Sequence, residues 1–169
     1  MIATDEIMPG AQGPHGAMRR DDREITDRLE IEQIIQGARI MYLALCRDDV
    51  PFAVPVFYAW DGQALYFHSA RSGAKIDIMK RNNKVCFVIS VDQGVIEEAM
   101  VCNFEARHRT VIGFGEAMFV EDEQEKIAAL QRIVERFTAR PSAFPAANLK
   151  ATQVIRINVL SLTGKKHGF

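Results

Sequence analysis

The stretch FAVPVFYAWDGQALYFHS, residues 52–69, decides how the chain is read. Phe52–Trp60 is dense in Val, Phe, Tyr and Trp, side chains that suit a pleated, half-buried surface. Pro55 lies inside that run and cannot donate to a ladder, so the strand belongs at a sheet edge or carries a bulge. Asp61-Gly62 then marks a two-residue hairpin, and Ala64–Ser69 returns as its partner. An antiparallel sheet is the first inference.

Working outward, Ile40–Arg47 reads as a further strand, joined to the first by a turn at Asp48-Asp49. Ahead of it, Asp27 and Glu30 have the spacing of a capping box. Leu29, Ile31, Ile34 and Ile35 recur with helical spacing up to a stop at Gly37. On the other side, Gly73–Asn82 is a short helix with Ile76, Ile78 and Met79 as its apolar side. Val85–Val91, Met100–Phe104 and Thr110–Val120 continue the strands, with Gly113 and Gly115 where a sheet must bend or be approached closely. Glu121–Ala139 is a helix: Ile127, Leu130, Ile133, Val134 and Phe137 share a face, acids crowd its start, and Pro141 ends it. Val154–Leu162 alternates as a last strand. Six or seven short strands with three helices describe an α+β domain on an antiparallel barrel. Residues 1–17 carry Gly, Pro and Ala without apolar period and are expected to form a flexible arm; the domain spans 18–169.

Composition narrows the class. The chain has 169 residues, 48% hydrophobic and 25% charged, with Lys+Arg 21 against Asp+Glu 22. At this length about 70% of the unfolded surface can be buried, so a core forms without staples. The balance excludes a disordered acidic tail, a collagen-like chain and a generally basic nucleic-acid coat. Cys46, Cys86 and Cys102 are widely spaced with no C-x-x-C, and the first two sit in apolar runs, as free buried thiols do. There is no basic-then-apolar leader, and no apolar run approaches the roughly 18 residues of a membrane span. A cytoplasmic protein without membrane or nucleic-acid partners is the expectation.

Charge is even globally and uneven locally. Between residues 71 and 84 stand Arg71, Lys75, Lys80, Arg81 and Lys84 against Asp77 alone. After Glu135 there is no acid, while Arg136, Arg140, Lys150, Arg156, Lys165 and Lys166 follow. Basic groups at a glycine and a helix start suit a phosphate, because free N–H groups and partial positive charge converge there. A solvated helix face gives the same spacing, and both readings stay open.

Dinucleotide, Walker, nucleophile-elbow and H-E-x-x-H motifs are absent. His15, His68, His108 and His167 are too scattered for a local metal motif, so no metal is expected. Redox chemistry, if present, needs an organic cofactor. His68 closes a strand beside Ser69 and just before the basic helix start. It is either a structural hydrogen-bonding residue or a contact to an anionic or aromatic ligand.

Taken together, Met18–Ile25 (MRRDDREI), Val54-Pro55-Val56, Asp61-Gly62, Leu65–Ala70 (LYFHSA), Gly73-x-Lys75, Arg81-Asn82-x-x-Val85-Cys86-Phe87, Arg109–Gly115 (RTVIGFG) and Thr163-Gly164-Lys165 run in order across the chain. This set resembles the pyridoxamine 5′-phosphate oxidase-like, FMN-binding split-barrel family, nearest its nitroimidazole-resistance branch. The resemblance implies a six-stranded split barrel with flanking helices, and a homodimer with FMN at the subunit interface. By position it places Val54, Pro55 and Val56 along the isoalloxazine, and His68 and Ser69 beside the ring and ribityl arm. Lys75 would meet the phosphate, with Arg109, Thr110 and Val111 contributing nearby. Ala74 departs from the pattern, standing where many relatives carry a second basic residue. The function implied is an FMN-dependent oxidoreductase of small molecules such as nitroaromatics, with a reduced nicotinamide as candidate donor and His68 as the one candidate catalytic acid. The competing reading is a non-catalytic binder of flavin, haem or another planar ligand, for which His68, His108 and His167 are available.

Overall fold

The computed structural model describes residues 14–169, so residues 1–13 of the expected arm lie outside the described residues. Where the description begins, the His15 ring meets Phe114 edge-on at 5.5 Å. A short 3-10 turn (Asp21–Arg23) leads into β1 (Glu24–Ile25), α1 (Arg28–Gly37), β2 (Ile40–Arg47), β3 (Val50–Phe57), β4 (Ala59–Trp60) and β5 (Ala64–Ala70). Then come α2 (Ala74–Arg81), β6 (Lys84–Ile96), a second 3-10 turn (Val101–Asn103), β7 (Glu105–Val120), α3 (Glu123–Glu135), α4 (Ala146–Ala151) and β8 (Thr152–His167).

One antiparallel sheet runs in the order β3-β2-β6-β7-β8-β5-β4, with β1 added to β8. Because β3 and β4 are consecutive in the chain yet end opposite sides of that order, residues 50–60 draw the two edges of the sheet toward each other. The sheet stays open there: the fold is an α+β split barrel. Pro51 and Pro55, four residues apart, put both missing donors on one edge of β3. With β3 terminal in the sheet, that edge is the unpaired one.

Period-2 alternation divides the sheet. Met41, Leu43, Leu45, Phe87, Ile89 and Val111 fill the inside with α1 and α2. A second core joins α3 and α4 to the far end through Tyr66, Val120, Leu130, Ile133, Leu149 and Val154. The glycines serve that packing. A Cβ on Gly113 would lie 2.1 Å from Phe87 Cζ, and one on Gly115 would lie 2.4 Å from the Asn158 carbonyl. The β7–β8 register slips between Phe114 and Gly115, which is the expected bend.

Several local expectations change in the folded chain. Asp48 and Asp49 both adopt positive φ (52° and 60°), the tight turn that joins two twisted strands. At Asp61-Gly62 the hairpin closes one residue later than expected: beyond the Trp60–Leu65 pair the Asp61 N–H donates to the Ala64 carbonyl at 3.2 Å, leaving Gly62 and Gln63 as the loop. There the Asp61 carboxylate accepts from the N–H groups of Gln63 and Ala64 at 2.9 and 2.7 Å. Asp27 caps α1 through the Leu29 N–H, but the other half of the box is diverted: Glu30 accepts from Lys166 Nζ at 2.8 Å. Met100–Phe104 is not a strand. The last β6–β7 pair is Ile96 with Glu105, so residues beyond it have no partner and curl into an exposed turn. The Ala146–Ala151 helix has too short an apolar pattern to be read from sequence. Cys46 and Cys86 are free but only half-buried.

Helix α3 stops at Glu135, well before Pro141, because tertiary contacts capture the next two residues. Phe137 turns out to stack edge-on against Phe57 at 4.8 Å. Arg136 donates to the Ile35, Gln36 and Ala38 carbonyls at the end of α1 and lies 4.8 Å above the Tyr58 ring. The buried Tyr58 hydroxyl reaches the Ile35 and Ala38 carbonyls too, and burial pushes its pKa up to about 12. Tyr58→Phe should therefore cost about 1–2 kcal/mol, partly offset by Arg136. The urea midpoint measures it, and an unchanged midpoint would mean that Arg136 alone satisfies those carbonyls.

Candidate functional site

The β5–α2 connection gathers the first group of residues. His68 lies at the exposed face near the end of β5, Ser69 is buried beside it, and the two pair with Val154 and Gln153 of β8. Gly73 precedes α2 with φ 121°, a conformation suited to glycine. No side chain caps this helix start, and a Cβ built on Gly73 would meet nothing within 4 Å. The Ile76 N–H is taken by the Gly73 carbonyl at 2.9 Å, which leaves the Ala74 and Lys75 N–H groups as those without a helical partner. Lys75 is half-buried in that first turn. No carboxylate among the described residues lies within ion-pair distance of it. Partial desolvation, and then the nearby Lys75 ammonium, hold the His68 imidazole below its ordinary pKa. At neutral pH the ring is therefore mainly uncharged, a hydrogen-bonding group more than a proton reservoir.

The second group sits on the outer face of the central strands. Ser90, Thr110 and Lys165 are in register across β6, β7 and β8. Ser90 Oγ and Thr110 Oγ1 are 2.9 Å apart, and His108 Nδ1 is 3.3 Å from the Thr110 hydroxyl. Arg109 packs its guanidinium 5.0 Å from the Phe169 ring, leaving its buried Nε without a partner. Val111 points inward and is fully buried, with its backbone paired to Ile89 and Gly164. Its side chain is core.

The third group is β3. Val54 and Val56 lean inward against the core, while Pro55 faces outward opposite Tyr42 on β2.

The first two groups do not converge within one chain. Ser69 pairs with Gln153 near the start of β8 and Thr110 pairs with Lys165 near its end, so roughly 40 Å of extended strand separates them. Sequence reasoning found the first group because it is nearly contiguous. It passed over Ser90, which strand register brings beside Thr110, and it weighed His108 only as a haem ligand, although His108 precedes Thr110 by two residues on the same strand; the alternation in Val88–Ser90 was the available signal. Much of the excess basic charge is already engaged: Arg71 donates to the Lys150 carbonyl at 3.0 Å, and Arg156 lies 3.7 Å from Glu125. Among the described residues no cluster of three His, Cys, Asp or Glu is placed to hold a metal ion. No described helix is long and apolar enough to cross a membrane.

Known proteins are similar to this chain in sequence or in fold. A protein of Rhizobium meliloti (strain 1021) is 39% identical over 66 residues, which span 39% of this chain and 43% of that relative. A crystal structure described as a candidate 5-nitroimidazole antibiotic resistance protein, from Bacteroides thetaiotaomicron, superposes with a TM-score of 0.76 at 29% identity. That match covers 84% of this chain and 85% of the other. The flavocytochrome Anf3 of Azotobacter vinelandii shares the fold at a TM-score of 0.82 and 21% identity, over 95% of this chain and 77% of its own. The profile for pyridoxamine 5′-phosphate oxidase matches residues 27–166, nearly the whole of the split barrel just described, and so the chain belongs to the pyridoxamine 5′-phosphate oxidase family.

Proposed function

We propose that this protein binds FMN between two copies of the chain and uses it to reduce small molecules, nitroaromatics among them. The observation that carries the reading is the uncapped start of α2, open to space beside Lys75, His68 and Ser69. That donor set fits a phosphate: main-chain N–H groups, one ammonium and the positive end of a helix converge on one spot. Ala74 leaves Lys75 as the one basic side chain of that first turn. Pro55 and the unpaired edge of β3 offer a flat, donor-poor border for a ring system, and His68 can donate a hydrogen bond to its rim. When bound, the flavin supplies the hydride or electron transfer, with a reduced nicotinamide proposed as donor. The chain's own part is to hold the phosphate, orient the ring and keep water from one face.

The separation of the two basic groups supports the dimer. Arg109, Thr110 and Lys165 reach the Lys75 end of a flavin site only if a second copy brings them there. The outer face also carries Ile40, Tyr42, Phe57 and Ile112 exposed on neighbouring strands, an apolar surface suited to burial.

A visible spectrum of the purified protein, taken after FMN addition and gel filtration, tests the reading. Flavin bands co-eluting near one per chain, with turnover by NADH or NADPH and a nitroaromatic, are the expected result. A protein that elutes colourless would overturn it. The alternative is a binder without turnover, and His108 facing His167 across β7 and β8 is the observation that favours haem; a Soret band in the same spectrum would select it.

A further inference from the structure

An open cleft of about 230 Å³ lies where the end of α1 passes into β2, next to β6. It is separate from the Lys75 group, and its chemistry is mixed. Ile40 and Val91 give apolar walls, and the ring of Tyr42 stands 55% exposed. Arg39 brings a guanidinium that has no carboxylate or carbonyl partner among the described residues. Ser90 brings a hydroxyl at the end of a chain: His108 Nδ1–H can donate to Thr110, and Thr110 to Ser90. With that polarity Ser90 is left as a donor, and its present acceptor is the Arg109 carbonyl at a long 3.4 Å. A ligand oxygen would be a better acceptor.

We infer that this cleft is a subsite for an aromatic carboxylate. Arg39 would take the carboxylate, Ser90 would donate to it, and Tyr42 would lie against the ring. The size agrees, since a dry cavity of about 150 Å³ holds benzene and this one has room for one substituted ring. A planar fork on a carboxylate is the pairing that guanidinium geometry favours. The inference deepens the proposed function by giving its substrate class, a single-ring aromatic acid bearing the reducible group. Ile40 and Tyr42 also belong to the face assigned to the second copy, so dimerisation would roof the cleft.

The test is equilibrium dialysis of 4-nitrobenzoate and of neutral nitrobenzene, with and without FMN, on wild type, Arg39→Gln and Ser90→Ala. Wild type should hold the carboxylate at least tenfold tighter than nitrobenzene. Arg39→Gln should abolish that preference, and Ser90→Ala should reduce it about threefold, while Arg39→Gln melts and retains FMN as wild type does. A preference that survives Arg39→Gln, or a wild type that binds neither probe, overturns the subsite. Arg39-dependent preference in a protein that retains no FMN would keep the subsite and discard the flavin reading. FMN retention without the preference would do the opposite.

Discussion

Gly113→Ala should destabilise the protein by roughly 3 kcal/mol, the upper part of the range for overpacked cores. The new Cβ would sit 2.1 Å from Phe87 Cζ, with the other near ring atoms at 2.6 and 2.8 Å. Phe87 cannot swing aside: it is fully buried and belongs to the main core with Leu43, Ile89 and Val111. Nor can β7 withdraw, because Gly113 pairs with Phe87 on one side and Leu162 on the other. Against a total stability of about 5–15 kcal/mol such a loss is large. Urea denaturation of Gly113→Ala, Phe87→Leu and the double variant checks the cause as well as the size. Since the smaller Phe87→Leu side chain makes room, the double variant should be less destabilised than the sum of the two singles. Strict additivity would mean that the glycine serves backbone conformation and not the ring.

The same residues show what a one-dimensional reading can reach. Gly113 and Gly115 were legible because small residues inside a strand run need a reason, and the reason is close approach. Asp48-Asp49, the edge position of β3 and the Ile31, Ile34 and Ile35 face of α1 were legible for similar local causes: turn chemistry, a missing donor and helical period; Leu29, read on that face, is exposed. The failures are tertiary. Glu30 has two uses open to it, the cap and Lys166, and the second is chosen by where β8 happens to pass. Phe137 leaves the apolar face of its helix for Phe57, a residue 80 positions away in the chain. At the candidate site, His68, Ser69 and Lys75 lie within one turn and one loop, so their grouping survives in sequence. Thr110 acquires Ser90 and His108 as partners through register and local geometry, and the same alternation turns the Val111 side chain into the core.

Lys75→Ala should weaken FMN binding at least tenfold while leaving folding intact. The lysine is half-buried at the start of α2, with no carboxylate to neutralise it and no role in the core. A charge-assisted bond to phosphate is worth about 1.5–3 kcal/mol, and partial exposure lowers the share that a single rim ammonium delivers. About 1.4 kcal/mol is tenfold in affinity. The main-chain N–H groups at Ala74 and Lys75 would still be present, so residual binding is expected in place of none. Fluorescence titration of FMN gives the affinity, and a melt of the apo form gives the fold. A second readout separates a local charge effect from damage. Because Lys75 contributes to holding the His68 pKa down, its removal should raise that pKa toward the ordinary histidine value, although desolvation, the larger cause, persists. An NMR titration of the His68 ring in the apo variant measures this without flavin. An upward shift together with wild-type FMN affinity would place Lys75 beside His68 but away from the phosphate, and the phosphate would then have to be held by the α2 start alone or by Arg109 and Lys165 of the second copy.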